Sequence, residues 1–165
     1  MLNRWLATLA AWWGVLGVIT LLVYAIVRLT PIALEAFAFP FGWIHWAVLL
    51  GNVVFMAYSE GYRGFSRSFS PRVARRAAAL RECPTPLRAA LAPLYCIGYF
   101  SAPRSVKISV YALTIGIVVL VQLVHVLDQP WRGILDAGVV VGLLWGCMAT
   151  FASAFGPLLL PRKRA

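Results

Sequence analysis

The chain has 165 residues, 62% of them hydrophobic and only 12% charged, with a net charge of +10. Soluble globular chains are about half apolar and about a quarter charged. The balance excludes intrinsic disorder, a disulfide scaffold and an ordinary soluble enzyme, and it fits a single membrane domain over residues 1–165.

The first span is read over 5–27, from Trp5 to Val27. It carries no charge and is long enough to cross about 30 Å of hydrocarbon at about 1.5 Å per residue. A signal peptide has an apolar core of only about 7–15 residues, so this run is expected to be retained, despite the small-x-small Ala36-Phe37-Ala38. Thr20, Tyr24 and Arg28 share a face, from which Arg28 can snorkel outward. Thr30-Pro31 is expected to end the helix. The second span is read over 36–58. Glu35 precedes it, Pro40 lies near its start, and His45 and Asn52 lie within it. A short link joins antiparallel neighbours, so the two runs should form a helical hairpin.

Residues 59–107 are the one long polar stretch and hold nine basic side chains. Phe55, Tyr58, Tyr62, Phe65 and Phe69 recur at steps of three and four, which predicts that the second helix continues to about Ser70. Ser70-Pro71 looks like an N-cap followed by proline at the first helical position. A basic helix from Pro71 to Glu82 should follow. Arg72, Arg75 and Arg76 share one side of it; Val73, Ala77 and Leu80 share the other. Arg81 falls on the apolar side, and Cys83-Pro84 ends the helix. Thr85-Pro86 repeats the cap signal. Ala89 to Phe100 is too short to span and reads as interfacial or re-entrant.

The third span is read over 108–127, with Gln122 and His125 near its far end, and the fourth over 137–160. The expected fold is therefore all-α and integral to the membrane. It has four transmembrane helices in two hairpins and a basic cytoplasmic segment with short interfacial helices. With four spans, one side of the membrane receives Arg4, the nine basic residues of the central segment and the tail residues Arg162, Lys163 and Arg164. The other side receives Arg28 and Arg132. Thirteen against two places both termini and the central segment in the cytoplasm. The Arg-, Ala-, Leu- and Trp-rich composition suggests a GC-rich bacterial genome, and the expected location is the bacterial inner membrane.

Gly138, Gly142 and Gly146 recur at four-residue steps, continued by Thr150 and Ala154. This small-residue stripe lets another helix approach closely, within the monomer, in a homodimer or against a membrane partner. His45 and His125, the two histidines, fall near the same membrane face. Facing imidazoles there could ligate a b-type haem, but with poor match in depth, so no resident cofactor is expected. No other metal set is evident, and no carboxylate is expected at mid-membrane depth. No Cys-x-x-Cys pair, phosphate loop or nucleophile elbow is present. The charge lies between apolar runs, which fits anionic lipid headgroups better than nucleic acid.

The remaining feature is Tyr58-Ser59-Glu60-Gly61-Tyr62-Arg63-Gly64-Phe65. A Glu60–Arg63 pair at i, i+3 is feasible on a helix. Glu60 and Arg63 are the candidate catalytic pair of an alternative reading, an enzyme or transporter for an anionic or lipid-like substrate, with Arg67 and Arg104 as further donors. The leading expectation is a non-catalytic accessory module. It would bind anionic lipid or a membrane partner through Arg63, Arg67, Arg72, Arg75, Arg76 and Arg104. The Tyr58–Phe65 stretch resembles one found in small uncharacterised bacterial multi-span inner-membrane proteins. That resemblance implies a similar four-span fold and no activity.

Overall fold

Uncharged apolar sequence with few breakers winds into a helix longer than the sequence punctuation predicts. In this computed structural model, which describes residues 4–82 and 85–159, the first helix, α1, runs unbroken over Arg4–Glu35. Pro31 lies inside it rather than ending it. The Thr30 hydroxyl donates to the Ile26 carbonyl at 2.7 Å. A 3-10 turn over Ala36–Ala38 and an extended link lead to α2, Trp43–Met56, so the second helix starts seven residues later than its apolar run.

The helix does not stop at Met56. Ala57–Phe69 continues it with wider, π-type winding, and α3, Ser70–Glu82, completes one continuous rod. The amide of Ser70 donates to the Phe65 carbonyl, five residues back. Ser70 is therefore helical and not an N-cap, and its buried hydroxyl lies 3.0 Å from the Thr150 hydroxyl. Pro71, which has no amide hydrogen, falls where the bonding returns from five-residue to four-residue spacing.

Two short helices follow, α4 over Pro86–Ala90 and α5 over Ala92–Ile97. Gly98 then reverses the chain at φ +112°, a conformation that glycine adopts without steric cost. α6 covers Arg104–His125 and α7 covers Trp131–Leu159. Cys83 and the basic tail residues Arg162, Lys163 and Arg164 lie outside the described residues.

Among the described residues, three helices are long and apolar enough to cross a membrane: Trp5–Ala38, Arg104–His125 and Trp131–Phe155. α1 and α7 form the main helix pair. They are antiparallel: Gly133 lies against Ala36 and Ile32, while Ala154 joins Ala11 and Val15 in the core at the other end. The rod over 43–82 runs parallel to α7, with Asn52 beside Ile134 and Ser70 beside Thr150. α6 hardly touches α7 and is exposed along most of its length, so it packs mainly through its two ends. Its first half is held by Tyr99, whose hydroxyl lies 2.7 Å from that of Thr114.

The core sits at the basic end. α1 spans 32 residues, about 48 Å at about 1.5 Å per residue, and so exceeds the hydrocarbon thickness. Its first half packs Ala10, Ala11, Val15 and Val18 against Val73, Ala77 and Leu80 of α3 and Ala92, Tyr95 and Cys96 of α5. Gly14 and Gly17 make this approach possible. A Cβ on Gly14 would lie 2.7 Å from Cys96 Sγ, and one on Gly17 would collide with Pro93. The segment from α3 through α5 is thus a folded body docked on α1 and α7.

Substitution should separate these glycines from the open ones. Gly17→Leu should lower the thermal midpoint of the detergent-solubilised protein, at an overpacking cost of about 1–3 kcal/mol. Gly116→Leu, where nothing lies within 4 Å, should leave the midpoint unchanged or raise it. Equal effects would contradict the docking of α5 on α1.

Candidate functional site

The seam between the 43–82 rod and α7 brings Asn52, Glu60 and the Gly138, Gly142 and Gly146 stripe together. Four small residues of the α7 stripe each receive one side chain. The Asn52 side chain fills the space beside Gly138 and donates to the carbonyls of Ile134 at 2.8 Å and Leu135 at 3.3 Å. A Cβ on Gly142 would lie 3.3 Å from Glu60 Oε2, and one on Gly146 would lie 2.7 Å from the Phe65 ring. Ser70 meets Thr150. Glu60, Phe65 and Ser70 thus step by five along the π-wound segment while Gly142, Gly146 and Thr150 step by four along α7. In return Gly61 accepts Trp145, whose indole nitrogen donates to Ser66 Oγ at 2.9 Å.

This winding changes what Glu60 can do. The carboxylate is level with Gly142, near the middle of the apolar length of α7, and not outside it as the residue spacing suggests. Three residues cover less than a full turn of the wider helix, so Glu60 and Arg63 do not face each other. Glu60 is half-buried against α7, whereas Arg63 and Arg67 are exposed on the outer side. The acid and its proposed arginine partners do not converge into one pocket. The aromatic stripe is divided in the same way: Phe65 turns to α7, while Tyr58 and Tyr62 stack on each other at the surface, 6.0 Å between centroids.

The arginines of α3 are not interchangeable. Arg76 donates from Nε to the Tyr95 carbonyl at 2.6 Å and from its terminal nitrogens to Phe100 at 2.8 Å and Ser101 at 3.2 Å. Its guanidinium carbon lies 4.1 Å from the centre of the Tyr95 ring. Arg76 therefore clamps α3 to the end of α5 and has little capacity left for an anion. Arg75 is exposed, with only its Nε used, on the Pro71 carbonyl. Arg72 is half-buried over the Phe69 ring, and its buried Nε has no partner among the described residues. Burial, then the neighbouring charges of Arg76 and Arg75, lower the pKa of Arg72 from its ordinary value. Arg104 is exposed at the start of α6.

No protein-family model, curated protein or solved structure matches the chain. The site is read from its own chemistry.

The two histidines occupy the opposite end. His45 Nδ1 accepts from the Gly42 amide at 3.0 Å and so caps α2, and its ring lies 4.7 Å from that of Trp131. His125 Nδ1 lies 3.1 Å from the Arg132 guanidinium, which can only donate. Iron-bound histidine normally offers Nε2 while Nδ1 carries a proton and donates it. Both rings here accept at Nδ1, and no group of three or more His, Cys, Asp or Glu is placed to hold a metal ion among the described residues. Burial pushes the Cys96 thiol up to about 12, with Arg76 opposing the shift, so Cys96 is a packing residue and a poor nucleophile.

Sequence reasoning missed Arg76 as a clamp and the glycines of α1. The α1 signal was present in Ala7, Ala10, Ala11, Gly14 and Gly17, which recur at steps of about three or four, as the α7 residues do.

Arg76→Lys should destabilise the protein by about 1–3 kcal/mol, because a lysine cannot reproduce a fork that serves three carbonyls. Arg75→Lys should be nearly silent. Thermal unfolding of both variants in one detergent checks this, and equal midpoints would contradict the clamp.

Proposed function

We propose that the chain is a small four-span protein of a bacterial inner membrane, without catalysis of its own, that binds anionic lipid or a membrane partner at its cytoplasmic face. The helix over 43–69 supplies the second span. Its support is its course beside α7 from Leu135 to Thr150, a length of about 24 Å at about 1.5 Å per residue. On that course Asn52, Glu60 and Ser66 are turned to α7, and Arg63 and Arg67 are exposed.

One observation carries the reading. α3 commits Val73, Ala74, Ala77 and Leu80 to the core, and this fixes a folded basic body at the inner ends of α1 and α7. Arg63, Arg67, Arg75 and Arg104 remain exposed around it. Each basic side chain near an anionic leaflet contributes about 1 kcal/mol of attraction. The enzyme or transporter reading needs the arginines to converge on Glu60, and they point away from it.

Phosphatidylglycerol should raise the thermal midpoint of the solubilised protein more than phosphatidylcholine does. High salt should reduce the difference. A variant with Arg63, Arg67 and Arg75 all changed to Gln should lose most of it. Equal stabilisation by the two lipids would overturn the lipid-binding reading.

A further inference from the structure

The arginines of α3 form a second arrangement besides the clamp. Phe65, seated against Gly146, meets Phe69 edge-on with 5.4 Å between ring centres, and the Arg72 guanidinium carbon lies 5.9 Å from the centre of the Phe69 ring. The Arg72 Nε is sealed from solvent, whereas its terminal nitrogens are not, and they bond to nothing among the described residues. Arg75, one turn on, is held at Nε by the Pro71 carbonyl at 3.2 Å and keeps both terminal nitrogens unbonded. Each guanidinium is thus pinned along its inner edge, with its outer N–H groups left over. Arg76, committed to three carbonyls, adds mostly charge. Burial, and then the charges of Arg76 and Arg75, oppose the charge of Arg72, and no neighbouring carboxylate offsets them among the described residues.

We propose that Arg72 and Arg75 form a binding site for one phosphate ester group at the basic end of the molecule, each guanidinium donating to a phosphate oxygen. The inference rests on the reading of this end as an anion-binding face, and it replaces a diffuse basic surface by a site of defined shape. Three observations select this ligand. The free donors belong to planar guanidinium forks, which match the spacing of phosphate oxygens. Three like charges share one side of α3, so an anion between them relieves their repulsion. Both forks are already held, Arg72 on Phe69 and Arg75 on Pro71, so little side-chain freedom is lost on binding. The depth suits a headgroup phosphate and also leaves the site open to the cytoplasm. Gly142 to Thr150 is about 12 Å along α7, and Arg72 and Arg75 lie about 3 and 8 Å beyond the Ser70–Thr150 contact, at about 1.5 Å per residue. From the level of Glu60 beside Gly142 this comes to about 15 and 20 Å, the edge of a hydrocarbon layer about 30 Å thick.

The test uses the full chain in a non-ionic detergent and a phosphate-free buffer. The probes are glycerol 1-phosphate and two lipids with the same short chains, dihexanoylphosphatidylglycerol and dihexanoylphosphatidylcholine, whose choline offsets the phosphate charge. A ligand of the folded protein raises its thermal midpoint, and the concentration at which the rise sets in measures the affinity. Phosphatidylglycerol, glycerol 1-phosphate or both should raise the midpoint more than phosphatidylcholine does. Arg72→Lys and Arg75→Lys should each raise the onset concentration about tenfold, roughly the value of one charge-assisted hydrogen bond. Lysine keeps the charge and loses the fork, so a diffuse attraction predicts no change. Arg75 is exposed, and Arg75→Lys should keep the ligand-free midpoint, so its loss of response reports binding and not folding. A response to the lipid alone assigns the site to a headgroup, and an equal response to glycerol 1-phosphate assigns it to a soluble phosphate ester. No response beyond that to phosphatidylcholine, or a response that both lysine variants keep in full, would overturn the site. If long-chain phosphatidylglycerol still stabilised the protein in that case, only this site would fall; if it did not, the lipid-binding reading would fall with it.

Discussion

Two helices of different winding share one seam, and the rest of the molecule is arranged around that fact. α7 presents a small residue every four positions, and the facing segment delivers a side chain every five. Inside a membrane, apolar surface gains little by leaving lipid, so helices associate through close packing and hydrogen bonds. This seam has both. Glycines admit Asn52, Glu60 and Phe65, and hydrogen bonds fix the ends at Ile134 and Thr150. π-type winding is usually confined to a single turn and often marks a functional position. Here it extends over Ala57–Phe69, supported by a partner whose stripe matches it.

The winding sorts the charged residues. Glu60 is turned toward α7, and Arg63 and Arg67 are turned away. Further along the rod, α3 returns to ordinary winding and its apolar face enters the core. This brings Arg76 within reach of the Tyr95, Phe100 and Ser101 carbonyls. A structural guanidinium and several exposed ones thus follow from a single helix that changes pitch twice. The charge that remains exposed belongs to a folded body, so its arrangement is set by packing rather than by a flexible loop.

Much of the fold was legible in the sequence because hydropathy reports it directly. The apolar runs at the two chain ends and at residues 108–127 correspond to α1, α7 and α6. The apolar face of Val73, Ala77 and Leu80 is the buried face of α3. Local signals failed where tertiary context overrode them. Thr30-Pro31 does not break α1, because proline is tolerated within an apolar helix. Ser70-Pro71 mimics a helix start because a cap and a pitch change both accommodate a missing amide hydrogen. The aromatic spacing of Phe55, Tyr58, Tyr62, Phe65 and Phe69 matches an ordinary helix, so nothing local indicates a five-residue repeat. The candidate site depended on that repeat. Its residues were identifiable by type, but their directions were not, and the expected Glu60–Arg63 pair was the consequence. The Arg76 clamp was also illegible, since its acceptors are backbone carbonyls that carry no sequence signature.

The central claim is the register of the seam, and cysteine cross-linking measures it most directly. Cys83, Cys96 and Cys147 would first be replaced, and one cysteine pair introduced at a time. A disulfide forms readily only when the two Cβ atoms are about 3.5–4.5 Å apart. Five-residue winding brings position 65 onto position 146 and turns position 63 away. Oxidation in membranes should therefore cross-link Phe65→Cys with Gly146→Cys and leave Arg63→Cys with Gly146→Cys reduced. Cross-linking of the 63/146 pair with the 65/146 pair unreacted would mean ordinary α-helical winding, and would contradict the account.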